Sequence, residues 1–188
     1  SCTDVARGLG QTFLLAVNLV NLAIVVHARG DGERATSLFE ESLALARELG
    51  DVFLESHILS YKGRAEHSDG DLVSAEASFV KSLAIVRKLA DPFATMWALE
   101  RFAELAAAKH APGRAATILG AAAHLREEIG LRISPHEERE RMTAAARAAL
   151  GDDAFDQAWR EGSAMELEAA VHAASLLGRR PGIIGGGP

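Results

Sequence analysis

Residues Gly30–Asp51 read GDGERATSLFEESLALARELGD, and forty residues later Gly70–Asp91 read GDLVSAEASFVKSLAIVRKLAD. Gly30/Gly70, Asp31/Asp71, Ala35/Ala75, Phe39/Phe79, Ser42/Ser82, Leu43/Leu83, Arg47/Arg87, Leu49/Leu89 and Asp51/Asp91 coincide. A weaker third copy, His110 to Leu131, keeps Ala115, Leu119, Leu125 and Ile129 in frame. Self-similarity at a fixed period of this size marks a helical repeat array, a stacked surface suited to holding something.

Working outward, Ala35, Leu38/Phe39, Ser42/Leu43, Ala46 and Leu49 recur at the spacing of one helical face. Gly30 supplies a residue able to end a helix in the left-handed conformation. The period predicts helices over about 12–28 and 33–49, then 52–67 and 72–89, then 92–109 and 113–129. Asp91-Pro92 reads as a cap followed by proline at the first helical position. Three hairpins are therefore expected at 11–50, 51–90 and 91–130. Val5 to Phe13 aligns with Leu45 to Phe53, so 1–10 reads as the end of a preceding repeat in a longer array.

Beyond Gly130 the frame weakens. Ser134-Pro135-His136-Glu137 starts a helix to about Leu150. A short helix over 153–160 carries Phe155 and Trp159, with Glu161-Gly162 as its break. Ser163-Ala164-Met165-Glu166 reads as a capping box for a last helix to about Leu177, with Leu167, Ala170, Val171, Ala174 and Leu177 as its buried stripe. Residues 131–178 then form an altered fourth repeat closing the stack, and 179–188 a tail. The expectation is one continuous domain: an all-α, right-handed superhelical stack of antiparallel helix pairs.

Composition agrees. The 188 residues are 48% hydrophobic and only 5% aromatic, which favours close helix packing over a sheet core. A net charge of −6 disfavours a phosphate-tracking surface, so no direct nucleic-acid contact is expected. A single cysteine excludes an internal disulfide and a cysteine metal cage, and fits a reducing, cytoplasmic setting. Phe13–Val26 is the longest apolar run. It holds Asn18 and Asn21 and falls short of the ~20 residues of a membrane span, so it reads as a buried helix with no membrane role.

The pattern Leu-Gly … Ala-x3-Phe resembles the tetratricopeptide repeat. The first-helix small residue is Ala23, Gly63 and Ala103, with Ala144 in the fourth unit; the second-helix alanine is Ala35, Ala75 and Ala115. The large residue four places on is Phe39, Phe79 and Leu119. The period exceeds the usual one of about 34, which implies longer helices and leaves a HEAT-like array open. Arg114–Glu127 and Ala146–Ala174 resemble the C-terminal tetratricopeptide-like segment of large bacterial regulators. In these a signalling ATPase precedes the repeats, and a LuxR-type DNA-binding or cyclase domain accompanies them. The resemblance implies an interaction or sensor role in a cytoplasmic transcriptional regulator. It supplies no catalytic residues.

Individual motifs carry little chemistry. Gly8-Leu9-Gly10-Gln11-Thr12 lacks the lysine of a phosphate loop. His27 and His67 are repeat equivalents, but the third equivalent is Ala107, so no metal is expected. No nucleophile, histidine and acid share a frame; no enzyme activity and no cofactor are expected. Recognition is expected on the concave side, which first helices line. Its positions are Val17, Val20, Ile24 and His27, then His57, Ser60, Arg64 and His67, then Trp97, Glu100 and Glu104, with Tyr61 and Arg101 as neighbours. Trp, Tyr and Arg are common interface anchors. The expected occupant is a protein or peptide, including other domains of the same chain. The alternatives are a small-molecule effector and a structural or dimerisation arm, a homodimer among them.

Overall fold

The computed structural model describes residues 2–131 and 137–175, with side chains from Gly8 onward, Glu138 excepted. Among the described residues there are helices and no strands: α1 Cys2–Ala28, α2 Gly32–Leu49, α3 Val52–Ser68, α4 Leu72–Leu89, α5 Pro92–Ala108, α6 Pro112–Glu128, α7 Glu137–Leu150, α8 Asp152–Ser163 and α9 Leu167–Ser175. They form helix pairs, α1 with α2, α3 with α4 and α5 with α6. The expected single continuous domain is corrected: the chain divides into two compact units, 1–91 and 92–188.

In the first unit each turn is built the same way. Asp31, Asp51 and Asp71 accept backbone N–H bonds from Arg34, Leu54 and Ser74 at 3.2, 2.9 and 3.0 Å. These carboxylates satisfy N–H groups that the first helical turn leaves without partners. At Asp71 the bonds from Ser74 hold the carboxyl below its ordinary value. Just before each aspartate the backbone turns left-handed, at Gly30, Gly50 and Gly70. Ala90 and His110 occupy the next two such positions with φ of 49° and 57°. There a Cβ meets the backbone unfavourably.

Helix backbones approach where side chains are small. Ala23, Ala35, Ala46 and Ala16 are buried with Phe39 and Leu43 in one cluster. Ser42 Oγ donates to the Ala16 carbonyl and, forty residues on, Ser82 Oγ donates to the Ser56 carbonyl, both at 2.8 Å. Gly63 lies under Phe79, whose ring would be 2.6 Å from an added Cβ. Ala75 and Ala115 are buried, as are the large residues Phe79 and Leu119 four places on.

Several expected boundaries are corrected. α1 runs unbroken through Gly8 and Gly10, so no repeat junction lies at residue 10; Thr12 Oγ1 returns to the Gly8 carbonyl at 3.1 Å, a helical bond, and the phosphate-loop reading is excluded. α8 does not stop at Glu161-Gly162. Gly162 lies against the Thr117 carbonyl and Gly120 against the Trp159 carbonyl, so the absent side chains let α8 lie directly on α6. Ser163 ends α8 and donates to the Gly120 carbonyl at 3.2 Å rather than capping α9. The closing segment is built of α7, α8 and α9, as expected, with α8 chiefly on α6 and α9 on α5 and α6. Ala146, not Ala144, is its buried small residue, and Leu167 is exposed. The expected cap at Ser134, together with Leu177 and 179–188, lies outside the described residues.

Ala90→Gly is expected to raise stability by about 0.5–1 kcal/mol, the relief of a left-handed alanine less the added freedom of the unfolded chain. A urea midpoint that stays put or falls would contradict the turn assignment. Gly162→Ala is expected to lower stability by about 1–3 kcal/mol through overpacking against α6, despite alanine's better helix propensity.

Candidate functional site

The first helices of the unit 1–91 present a line of residues four apart. On α3 it runs Phe53, His57, Tyr61, with ring centroids 5.0 and 6.2 Å apart. Phe53 and His57 are exposed, and Tyr61 is half-buried against the core. Arg64 is exposed one turn further. On α1, which touches α3, the equivalent line is Phe13, half-buried Val17, exposed Asn21 and exposed Ile24. Val20 is corrected from groove to core, where it packs with Ala16 and Ala23. Ser60 is half-buried. His27, half-buried at the end of α1, turns to Asp69 at the end of α3 at 2.9 Å, so it ties the first hairpin to the second.

The expected groove omitted Phe13, Phe53 and Phe93. They stand forty residues apart, one per repeat, and are 42, 47 and 42% exposed. Large aromatics held in frame yet left outside the core were a legible signal. The matching of Phe39 and Phe79, which fill the core, drew attention away from it. In the unit 92–188, Phe93 meets half-buried Trp97 edge-on at 6.1 Å.

The other three expected positions of that unit are corrected. Glu100 is buried and accepts from Arg126 Nη2 at 2.6 Å, with Arg139 Nη1 at 3.9 Å. Arg101 is buried too, donating to both Glu104 carboxylate oxygens at 2.7 Å. Glu100 thus ties α5 to α6 and α7, and the Arg101–Glu104 pair lies within α5, instead of lining an open face. The sequence hid this because Arg126 and Arg139 lie on other helices. A comparable network in the first unit joins Glu40, Lys62, Glu66 and Ser78. Lys62 Nζ lies 2.6 Å from Glu66 and 3.3 Å from Glu40, and Ser78 Oγ donates to Glu66 at 2.7 Å. Burial opposes the Lys62 charge, but the carboxylates of Glu66 and Glu40 outweigh it and raise its pKa above the ordinary lysine value.

Among the described residues no group of three or more His, Cys, Asp or Glu is arranged to hold a metal ion. Gly8–Ala28 is long and apolar enough to cross a membrane, and only 28% of its most apolar stretch is buried. The expectation of a buried helix is corrected accordingly: among the described residues α1 is covered on one side only, at Ala16, Val20, Ala23 and Val26.

Residues 14–88 match the tetratricopeptide repeat family. This segment is tetratricopeptide-like. The matched residues run from α1 to the end of α4, the two hairpins whose turns and small-residue contacts repeat. Comparison with curated proteins and with solved structures finds no match. Tetratricopeptide repeats generally mediate protein–protein interaction and are typically non-catalytic.

Glu100→Ala would leave the Arg126 guanidinium without its counter-charge in a nearly closed site. The expected loss is about 3 kcal/mol, the lower end for a broken buried pair because Arg126 keeps some water. Thermal unfolding of the variant checks it; a change within the error of a surface substitution would show that the pair contributes nothing.

Proposed function

We propose that this chain is a non-catalytic interaction module that recognises a protein or peptide on the first-helix face of its tetratricopeptide-like segment. The observation that carries the reading is the line of rings on α3, exposed Phe53 and His57 followed by half-buried Tyr61. Core packing does not use the outer rings, and exposed aromatics grouped on one face mark interaction sites. Arg64 at the end of the line supplies a guanidinium suited to a carboxylate. The partner chemistry that fits is an apolar side chain laid against Phe53 and His57, followed by an acidic group for Arg64.

The wider role we infer is that of a sensor or interaction arm in a cytoplasmic bacterial transcriptional regulator. The support is the resemblance of Arg114–Glu127 and Ala146–Ala174 to the closing segments of such proteins. Glu100, Arg101 and Glu104 serve the fold in this reading rather than the partner.

A displayed random-peptide library selected against the chain is expected to yield binders that lose about tenfold or more in affinity to Phe53→Ala/His57→Ala, in the range of interface anchors. Both side chains are exposed, so circular dichroism should be unchanged. Selected peptides that bind the double variant as tightly as the parent would overturn this face as the recognition surface.

A further inference from the structure

Glu100 is 1% exposed and faces two guanidinium groups. Arg126, in the last turn of α6, donates from Nη2 to Glu100 Oε1 at 2.6 Å. Arg139, the third residue of α7, brings Nη1 to 3.9 Å from the same oxygen, an ion-pair distance too long for a hydrogen bond. Two positive charges thus share one negative charge. Neighbouring acids do not restore the balance. Both Glu104 carboxylate oxygens accept from Arg101, and Glu127, Glu137 and Glu140 are exposed.

The surplus charge is held where water is scarce. The side chains of Arg126 and Arg139 are only 13 and 19% exposed. Within them, Arg126 Nε and Arg139 Nη1 are buried and have no hydrogen-bond partner. A buried donor without an acceptor costs free energy, and more when it carries charge. Helix electrostatics say which arginine is the extra one. Arg126 lies at the C-terminal end of α6, where the backbone dipoles favour a cation. Arg139 lies in the first turn of α7, where they favour an anion.

A guanidinium presents its N–H donors in a planar fork that matches the oxygens of carboxylate and phosphate. Both forks reach the same Glu100 oxygen, so they are close enough for one oxyanion to meet both. Such a group supplies acceptors for Arg126 Nε and Arg139 Nη1 and balances the charge. Glu100 then serves to hold two like charges side by side.

We propose that Arg126 and Arg139 form a binding site for a small free oxyanion, a carboxylate or a phosphate, at the junction of α5, α6 and α7. The site belongs wholly to the unit 92–188 and does not depend on the rings of α3.

Titration of the isotope-labelled 188-residue chain with sodium phosphate, and separately with sodium acetate, tests it, each against sodium chloride at matched ionic strength. Nuclear magnetic resonance follows the arginine Nε–H signals, and Arg126→Lys identifies the one from Arg126. The expected result is a saturable shift of that signal with at least one of the two oxyanions. Arg139→Gln, which keeps the Arg126–Glu100 pair, should weaken the binding by about tenfold or more. Phosphate also stabilises folded proteins by exclusion from their surface, an effect that Arg139→Gln would leave in place. Saturation by phosphate alone assigns the site to phosphate groups, by acetate alone to carboxylates, and by both to either. Shifts that never saturate, or a response undiminished in Arg139→Gln, would overturn the proposal. Should that variant fail to fold, Arg139→Lys keeps the charge without the fork, and undiminished binding there would overturn it equally.

Discussion

Two helix backbones can lie side by side only where no large side chain stands between them, and this chain depends on that constraint at every level. Ala16, Ala23, Ala35 and Ala46 set the first hairpin, Gly63 makes room for Phe79, and Gly120 with Gly162 brings α8 onto α6. The serines that recur at 42 and 82 belong to the same contact. Each is small enough to stand between helices, and each hands its hydroxyl to a carbonyl of the neighbouring first helix. A buried hydroxyl without a partner would cost free energy, so the bond makes a polar residue tolerable at a tight crossing.

The second constraint is the turn. A hairpin stack needs the chain to reverse at even intervals, and the reversals come through left-handed residues at 30, 50, 70, 90, 110 and 130. Where glycine is present the reversal is nearly free of strain. At Ala90 and His110 it is imposed on residues that resist it, so the surrounding packing must hold it. Ala90 stands beside the division between the two compact units.

Once the hairpins are fixed, the first-helix residues separate into two kinds. Those facing the paired helix are small or aliphatic and interchangeable between repeats. Those facing outward share a phenylalanine at 13, 53 and 93 and then differ: rings on α3, aliphatic residues on α1, and on α5 Glu100 drawn inward by its ion pair with Arg126. Variation of this kind on a common frame lets one architecture serve different contacts, and the rings of α3 are the surface proposed here.

The forty-residue period alone determined the helix pairs, their turns, the buried alanines and the core phenylalanines, because each rests on residues close in sequence or repeated at a fixed distance. The outward placement of His57 and Arg64 on α3 was legible from the helical frame, and that of Phe13 and Phe53 could have been. Tertiary structure decided the rest. Glu100 and Arg101 look like groove residues until distant arginines and a neighbouring glutamate are seen to hold them. Gly162 looks like a helix stop until Thr117 is found against it, and Ser163 like a cap until it reaches the carbonyl of Gly120. The apolar run of α1 looks buried until its outer side is seen uncovered. In each case the deciding neighbour lies on another helix, at a separation that no local pattern encodes.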